Sequence, residues 1–134
     1  MKMNKMQKTE LIQKAVKARK NAYAPYSNYP VGAALYTATG KTYLGANVEN
    51  AAYPVTMCAE RVAIFKAVSE GEREFEMIAV VTENGGSPCG SCRQVMAEFG
   101  LDTLVLIADE QGNLVEELRV GELLPKAFTP KDLI

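Results

Sequence analysis

Histidine is absent from the 134 residues, and cysteine occurs three times. Imidazole is therefore excluded from any metal or acid-base chemistry. A closed structural zinc site is excluded with it, because such sites normally take four protein ligands and only three thiols are available. No apolar run approaches the roughly 20 residues that a membrane span needs, and no signal-peptide core is visible. Charge of one sign is not in excess: 15 Lys and Arg stand against 16 Asp and Glu, for a net charge of −1. That balance hides an asymmetry, since residues 1–22 carry seven Lys or Arg against Glu10 and the remainder carries −7. The basic start has no aromatic or Arg cluster, so it reads as the solvated face of a helix rather than a nucleic-acid arm. It also has no Ser, which argues against a mitochondrial transit peptide. Neither an internal repeat nor a low-complexity tract is present.

What is there suits one globular unit. A composition of 48% hydrophobic and 23% charged residues is ordinary for a soluble protein, and 134 residues read as a single domain, 1–134, with a sizeable core. Apolar positions Leu11, Ile12, Ala15, Val16, Ala18 and Ala22 recur at helical spacing, predicting an amphipathic helix over 9–22. Two prolines, Pro25 and Pro30, break it. Residues 31–36 and 42–46 read as a hairpin around Thr39-Gly40. A helix is expected over 58–70, ended by Gly71, then a strand over 77–82. Ser87 is expected to cap the next helix with Pro88 as its first residue, and Gly100 to end it. Strands at 103–108 and 114–118 and a short helix at 120–124 complete an α-β-β-α-β-α-β-β-α order. This order predicts an α/β fold with one mixed sheet and helices on both faces.

All three cysteines fall in two short segments, Cys58-Ala59-Glu60-Arg61 and Ser87-Pro88-Cys89-Gly90-Ser91-Cys92-Arg93-Gln94. A lone Cys-x-x-Cys also serves redox sites, and a buried Cys is often a small hydrophobe. The combination is more specific: Cys-x-Glu followed at a distance by Pro-Cys-x-x-Cys is the signature of zinc deaminases, in which the Glu is a general acid/base and not a ligand. Three ligands would leave the fourth position open, as catalytic zinc requires. Placement at two helix N-termini favours thiolate over thiol. Three thiolates on a dication leave a charge of −1. Arg61 is the candidate to offset it with charge-assisted hydrogen bonds to a sulfur, with Arg93 or Gln94 as a further supporting group; the plain alternative for Arg61 is an exposed surface position. Asn47 and Glu49 lie two apart, so an extended chain would turn both to one face, where amide and carboxylate together suit a sugar diol. Otherwise they belong to a loop that satisfies its own backbone.

Taken together, the chain resembles the small cytidine deaminases of nucleoside metabolism. The resemblance is carried by Ala24-Pro25-Tyr26-Ser27 leading into Val31-Gly32-Ala33-Ala34-Leu35, by Asn47-Val48-Glu49-Asn50-Ala51, by both cysteine segments and by Glu122-Leu123-Leu124-Pro125. It implies a three-layer α/β/α sandwich with a five-stranded mixed sheet, one Zn²⁺ per subunit held by Cys58, Cys89 and Cys92, and a homotetramer; the free thiolates suit a reducing, cytoplasmic compartment. The implied reaction is hydrolytic deamination of cytidine and deoxycytidine to uridine and deoxyuridine plus ammonia, serving pyrimidine salvage, with Glu60 as proton shuttle. Asn47 and Glu49 would hold the ribose through its 3′-hydroxyl, the Ala59 N–H would contact the pyrimidine, and the Ser87 carbonyl would face the leaving amine. Phe128 would reach a neighbouring subunit's site. Tyr29 stands where the family more often has Phe against the base. Polynucleotide-editing deaminases, blasticidin-type aminonucleoside deaminases and a non-catalytic zinc or redox module are the competing readings; the near-neutral charge and the Asn47/Glu49 pair favour a free nucleoside over nucleic acid.

Overall fold

The computed structural model describes residues 6–134. Helix α1 (Lys8–Arg19) is followed by strands β1 (Gly32–Thr37) and β2 (Thr42–Ala46), helix α2 (Ala59–Ser69), strand β3 (Phe75–Val81), helix α3 (Gly90–Glu98), strands β4 (Leu104–Ala108) and β5 (Leu114–Arg119), and a single turn, α4 (Val120–Leu123). The five strands form one sheet in the order β2-β1-β3-β4-β5. Only β3 and β4 run parallel, joined by the crossover through α3; every other neighbouring pair is antiparallel.

Strand β3 shows why the molecule has three layers. It is apolar on both faces, as a central strand covered on both sides must be. Met77, Ala79 and Val81 belong to the cluster with Leu11, Ile12 and Ala15 of α1, whereas Ile78 and Val80 belong to the cluster with Ala63, Ile64 and Ala67 of α2 and Met96 of α3. Burying each of the Leu, Ile, Val and Met side chains among these contributes about 1.5–3 kcal/mol before the entropy of ordering is counted. The helices lie very close to the sheet at two glycines. A Cβ on Gly32 would stand 2.1 Å from the Ala15 carbonyl oxygen, and one on Gly45 would stand 2.4 Å from that of Ala59.

Several boundaries differ from those expected. Helix α1 stops at Arg19, three residues early, because Asn21 and Ala22 donate three residues back instead of four and Tyr23 then donates to the Asn47 carbonyl. Strand β3 begins at Phe75, where its ladder to Thr37 extends the pairing beyond the apolar run. Ser87 is not the cap of α3. That place belongs to Cys89, extended at φ −71° and ψ 169°, and the helix starts at Gly90; the Ser87 hydroxyl instead accepts from Arg93 Nη2 at 2.8 Å.

Candidate active site

Both cysteine segments meet at the carboxyl end of β3. Cys58 is the N-cap of α2, Cys89 is the N-cap of α3, and Cys92 lies in the first turn of α3. Thirty-one residues apart in sequence, the Cys58 and Cys89 sulfurs are 3.8 Å apart, and Cys89 and Cys92 are 3.6 Å apart. A zinc ion with Zn–S bonds of about 2.3 Å in tetrahedral geometry places its sulfurs ~3.8 Å from one another. The three sulfurs, all within 4.8 Å of each other, therefore fit zinc as they stand. Cys92 is buried, Cys58 half-buried and Cys89 exposed, so the cluster opens to the surface on one side.

Electrostatics prepare one sulfur as an anion. The Cys58 thiol is brought down to about 5, first by the neighbouring Cys92 thiol and then, against the opposing cost of burial, by Arg61. Cys92 is pushed up for the complementary reason, by the neighbouring Cys58 sulfur and by burial. Arg61 is half-buried, not on the surface, and its Nη2 donates to Cys58 Sγ at 3.3 Å. Its Nε is buried without a partner among the described residues, which makes the guanidinium dependent on the sulfurs for compensation. Glu60, one turn position away, is 4% exposed, and burial first, then the charge of Cys58, push its carboxyl up to about 7.

Cys58, Cys89 and Glu60 border a pocket of about 270 Å³ lined also by Tyr29, Asn47, Glu49 and Ser87 among others. A larger cleft of about 940 Å³ lies at the opposite end of the sheet, near Lys8, Phe75, Phe99 and Arg119, and holds none of the sulfurs. The smaller one is the candidate site because the reactive groups converge there. Asn47 and Glu49 do face one side, since Val48 bridges both Tyr23 and Met57. Their polar atoms are already engaged with the 26–31 loop. Asn47 Oδ1 accepts from Val31 N at 2.9 Å and its Nδ2 donates to the Tyr29 carbonyl at 3.1 Å. Glu49 accepts from Tyr26 N, from Ser27 N and from the Ser27 hydroxyl. Of the roughly four acceptor directions of a carboxylate, one stays free; Asn47 likewise keeps one amide hydrogen.

Residues 5–108 match the family model for the cytidine and deoxycytidylate deaminase zinc-binding region. The chain belongs to that family. It is 51% identical over 131 residues to the cytidine deaminase of Halalkalibacterium halodurans, covering 96% of this chain and 98% of that protein. To the cytidine deaminase of Sporosarcina psychrophila it is 50% identical over 126 residues, covering 92% and 93% respectively. The crystal structure of cytidine deaminase from Burkholderia pseudomallei superposes with a TM-score of 0.87 at 50% identity, over 92% of this chain and 100% of that one. The expected α/β architecture and the expected zinc-dependent hydrolytic deaminase class both hold.

Within this deaminase the supporting residues sort differently from the sequence reading. Arg93 does not touch a sulfur. It donates to the carbonyls of Pro88 and Leu123 and to Ser87 Oγ, so it holds the loop that carries Cys89. Gln94, expected to support the metal, donates its Nε2 to the Phe128 carbonyl at 2.8 Å and so fixes the chain near Phe128, whose own ring is exposed. Ala59 is fully buried at the start of α2 beside Glu60. Ser27 was missed as a functional residue. Its spacing from Glu49 carries no periodic signal, and only the fold brings its hydroxyl to that carboxylate.

Proposed function

We propose that the protein is a cytidine and deoxycytidine deaminase that binds one zinc ion per subunit through Cys58, Cys89 and Cys92. The observation that carries this reading is that Glu60, almost fully buried, borders the same pocket as Cys58 and Cys89. Zinc held by these residues would supply Lewis acidity, which lowers the pKa of a water toward neutrality. Everything else is done by the chain. Glu60 accepts one proton of the attacking water and delivers it to ring N3, which makes C4 electrophilic, then takes the second from the hydroxyl added at C4 and passes it to the departing amine as the C4 carbonyl forms. Water oxygen replaces nitrogen at C4, and ammonia leaves. The Ser87 carbonyl accepts from the amine, the Ala59 N–H donates to the pyrimidine, and the free acceptor of Glu49 with the free amide hydrogen of Asn47 holds the 3′-hydroxyl. Tyr29 walls the base. Arg61 offsets the residual negative charge of three thiolates on one dication.

Glu60→Gln is expected to keep zinc and nucleoside binding and to lower kcat by a factor of about 10²–10⁴. Conversion of cytidine followed by ultraviolet absorbance, with ammonia release alongside, checks it; near-wild-type turnover would remove Glu60 from the role. A substrate panel that includes an aminonucleoside antibiotic separates this reading from the blasticidin-type one.

The whole of 1–134 serves as one domain in this reading, in a cytoplasmic setting that keeps thiols reduced and within pyrimidine salvage. Exposed Tyr53, Val55 and Phe128 suit a homotetramer in which Phe128 enters a neighbouring subunit's site. Sedimentation should give the mass of four chains, and that of one chain would end the proposal. Nucleic acid and membrane are not partners in this scheme; no described helix is long and apolar enough to cross a bilayer.

A further inference from the structure

Tyr29 offers more than a ring. Its hydroxyl donates to Asn84 Oδ1 at 2.7 Å, across 55 residues, and so ties the loop before β1 to the loop between β3 and α3. The second loop is folded on itself around the same point. Thr82 Oγ1 donates to Asn84 Oδ1 at 3.4 Å and accepts from Gly86 N at 2.6 Å. The backbone of Gly86 passes so near the tyrosine that an added Cβ would stand 2.6 Å from the Tyr29 hydroxyl oxygen, while the next atoms, Asn84 Oδ1 and Thr82 Oγ1, are both at 3.6 Å. Tyr29, Thr82, Gly86 and Ser87 all line the pocket of about 270 Å³.

We infer that Asn84 is a positioning residue of the deaminase site: by holding the Tyr29 hydroxyl it sets the distance between the aromatic wall and the segment that presents Ser87. The inference rests on the pocket being the nucleoside site. Neither loop has regular secondary structure to fix it, and among the described residues Tyr29–Asn84 is the side-chain bond that joins them. Asn84 itself does not line the pocket; its influence passes through Tyr29. Gly86 completes the device, since only a residue without Cβ lets the loop backbone pass the hydroxyl.

The test uses the zinc-loaded full chain. Asn84→Ala and Tyr29→Phe should each raise KM for cytidine roughly threefold or more, the size of one lost hydrogen bond, with a smaller change in kcat. The double variant should be no worse than the worse single one, because both remove the same bond. Asn84→Asp keeps an acceptor oxygen and should return KM to within about twofold of wild type. Gly86→Ala should impair binding when Tyr29 is present, and Tyr29→Phe should relieve it, because the only atom within 3 Å of the new methyl is then gone. A second readout needs no substrate: amide exchange at Gly86 should speed up in Asn84→Ala and in Tyr29→Phe, with zinc content unchanged. Wild-type KM and exchange in Asn84→Ala, additive losses in the double variant, or a Gly86→Ala defect that Tyr29→Phe leaves untouched would each overturn the inference. If the wild-type protein does not turn over cytidine, the functional reading falls, and the exchange measurements still decide whether the clasp exists.

Discussion

At the scale of single residues, the site reuses its polar groups. Glu49 is both the anchor of the Tyr26–Ser27 backbone and the candidate sugar ligand, and its ionised form is the one that three donors select. The Ser27 hydroxyl bond, chiefly, holds the Glu49 carboxyl below its ordinary value, with the two backbone bonds acting the same way against partial desolvation. A depressed folded-state pKa means that stabilisation of the loop is present above the unfolded value, about 4.3, and is lost as pH falls through the lower folded one. The Ser27 amide signal followed by NMR should therefore stay fixed from neutral pH down to about 5 and move only below the ordinary Glu range. A shift centred above 5 would contradict the arrangement. The cysteines and Glu60 were legible because a two-residue spacing and a Cys-x-x-Cys at a helix start are local patterns. Ser27 and Asn84 were not, because their partners lie 22 and 55 residues away and nothing in a linear pattern joins them.

At the scale of elements, the site depends on where α2 begins, and β2 sets that. Gly45 meets the Ala59 carbonyl at 2.4 Å and Ala63 N at 2.6 Å from where its Cβ would be, directly below the turn that carries Cys58 and Glu60. Gly32 makes an equally close approach to Ala15 and Arg19 of α1, on the other face. Gly45→Ala and Gly32→Ala should each destabilise the fold by about 3 kcal/mol, the upper end of ordinary overpacking, because both contacts are with backbone that cannot rotate away. They should part on function. Gly45→Ala is expected to lower zinc retention, and Gly32→Ala to leave it at one ion per chain; denaturant unfolding and metal analysis of the folded fraction read the two effects. Periodicity and capping signals located the five strands and four α-helices, since β3 and β4 are apolar runs and α1 is amphipathic, but not the short 3-10 turns at Tyr53–Val55 and Pro130–Asp132. It missed the ends because ends are decided by pairing, as at Thr37 and Phe75, and by competing donors such as Arg93 at Ser87.

At the scale of the molecule, the sheet separates two apolar layers with different supports. The α1 layer is closed by packing around Leu11, Ile12, Leu106 and Met77, with the Lys8–Glu117 and Arg19–Glu110 ion pairs at its edges. On the other side, the N-termini of α2 and α3 are additionally joined through the sulfurs of Cys58, Cys89 and Cys92. Ligand linkage at a thousandfold excess over Kd adds about 4.1 kcal/mol to the stability of the form that binds. Cys89→Ala should lose zinc, lower Tm and speed amide exchange along α2 and α3 while α1 keeps its protection; full zinc content in the variant would take Cys89 out of the ligand set. Layer order followed from the α-β-β-α-β-α-β-β-α pattern, but the exposure of β5, an edge strand with Val115 in solvent, did not, because an apolar alternation says nothing about what covers it.

A donor set made wholly of sulfur has a toxicological side. Thiolates prefer polarisable cations, so magnesium, calcium and manganese are poor competitors however abundant, whereas copper(I) and other thiophilic ions match the ligands well. Cys89, on the surface of the chain, is the point at which such an ion would first make contact. On the proposed ligand set, such an ion would compete with zinc for the same three sulfurs and would inhibit without resembling a nucleoside.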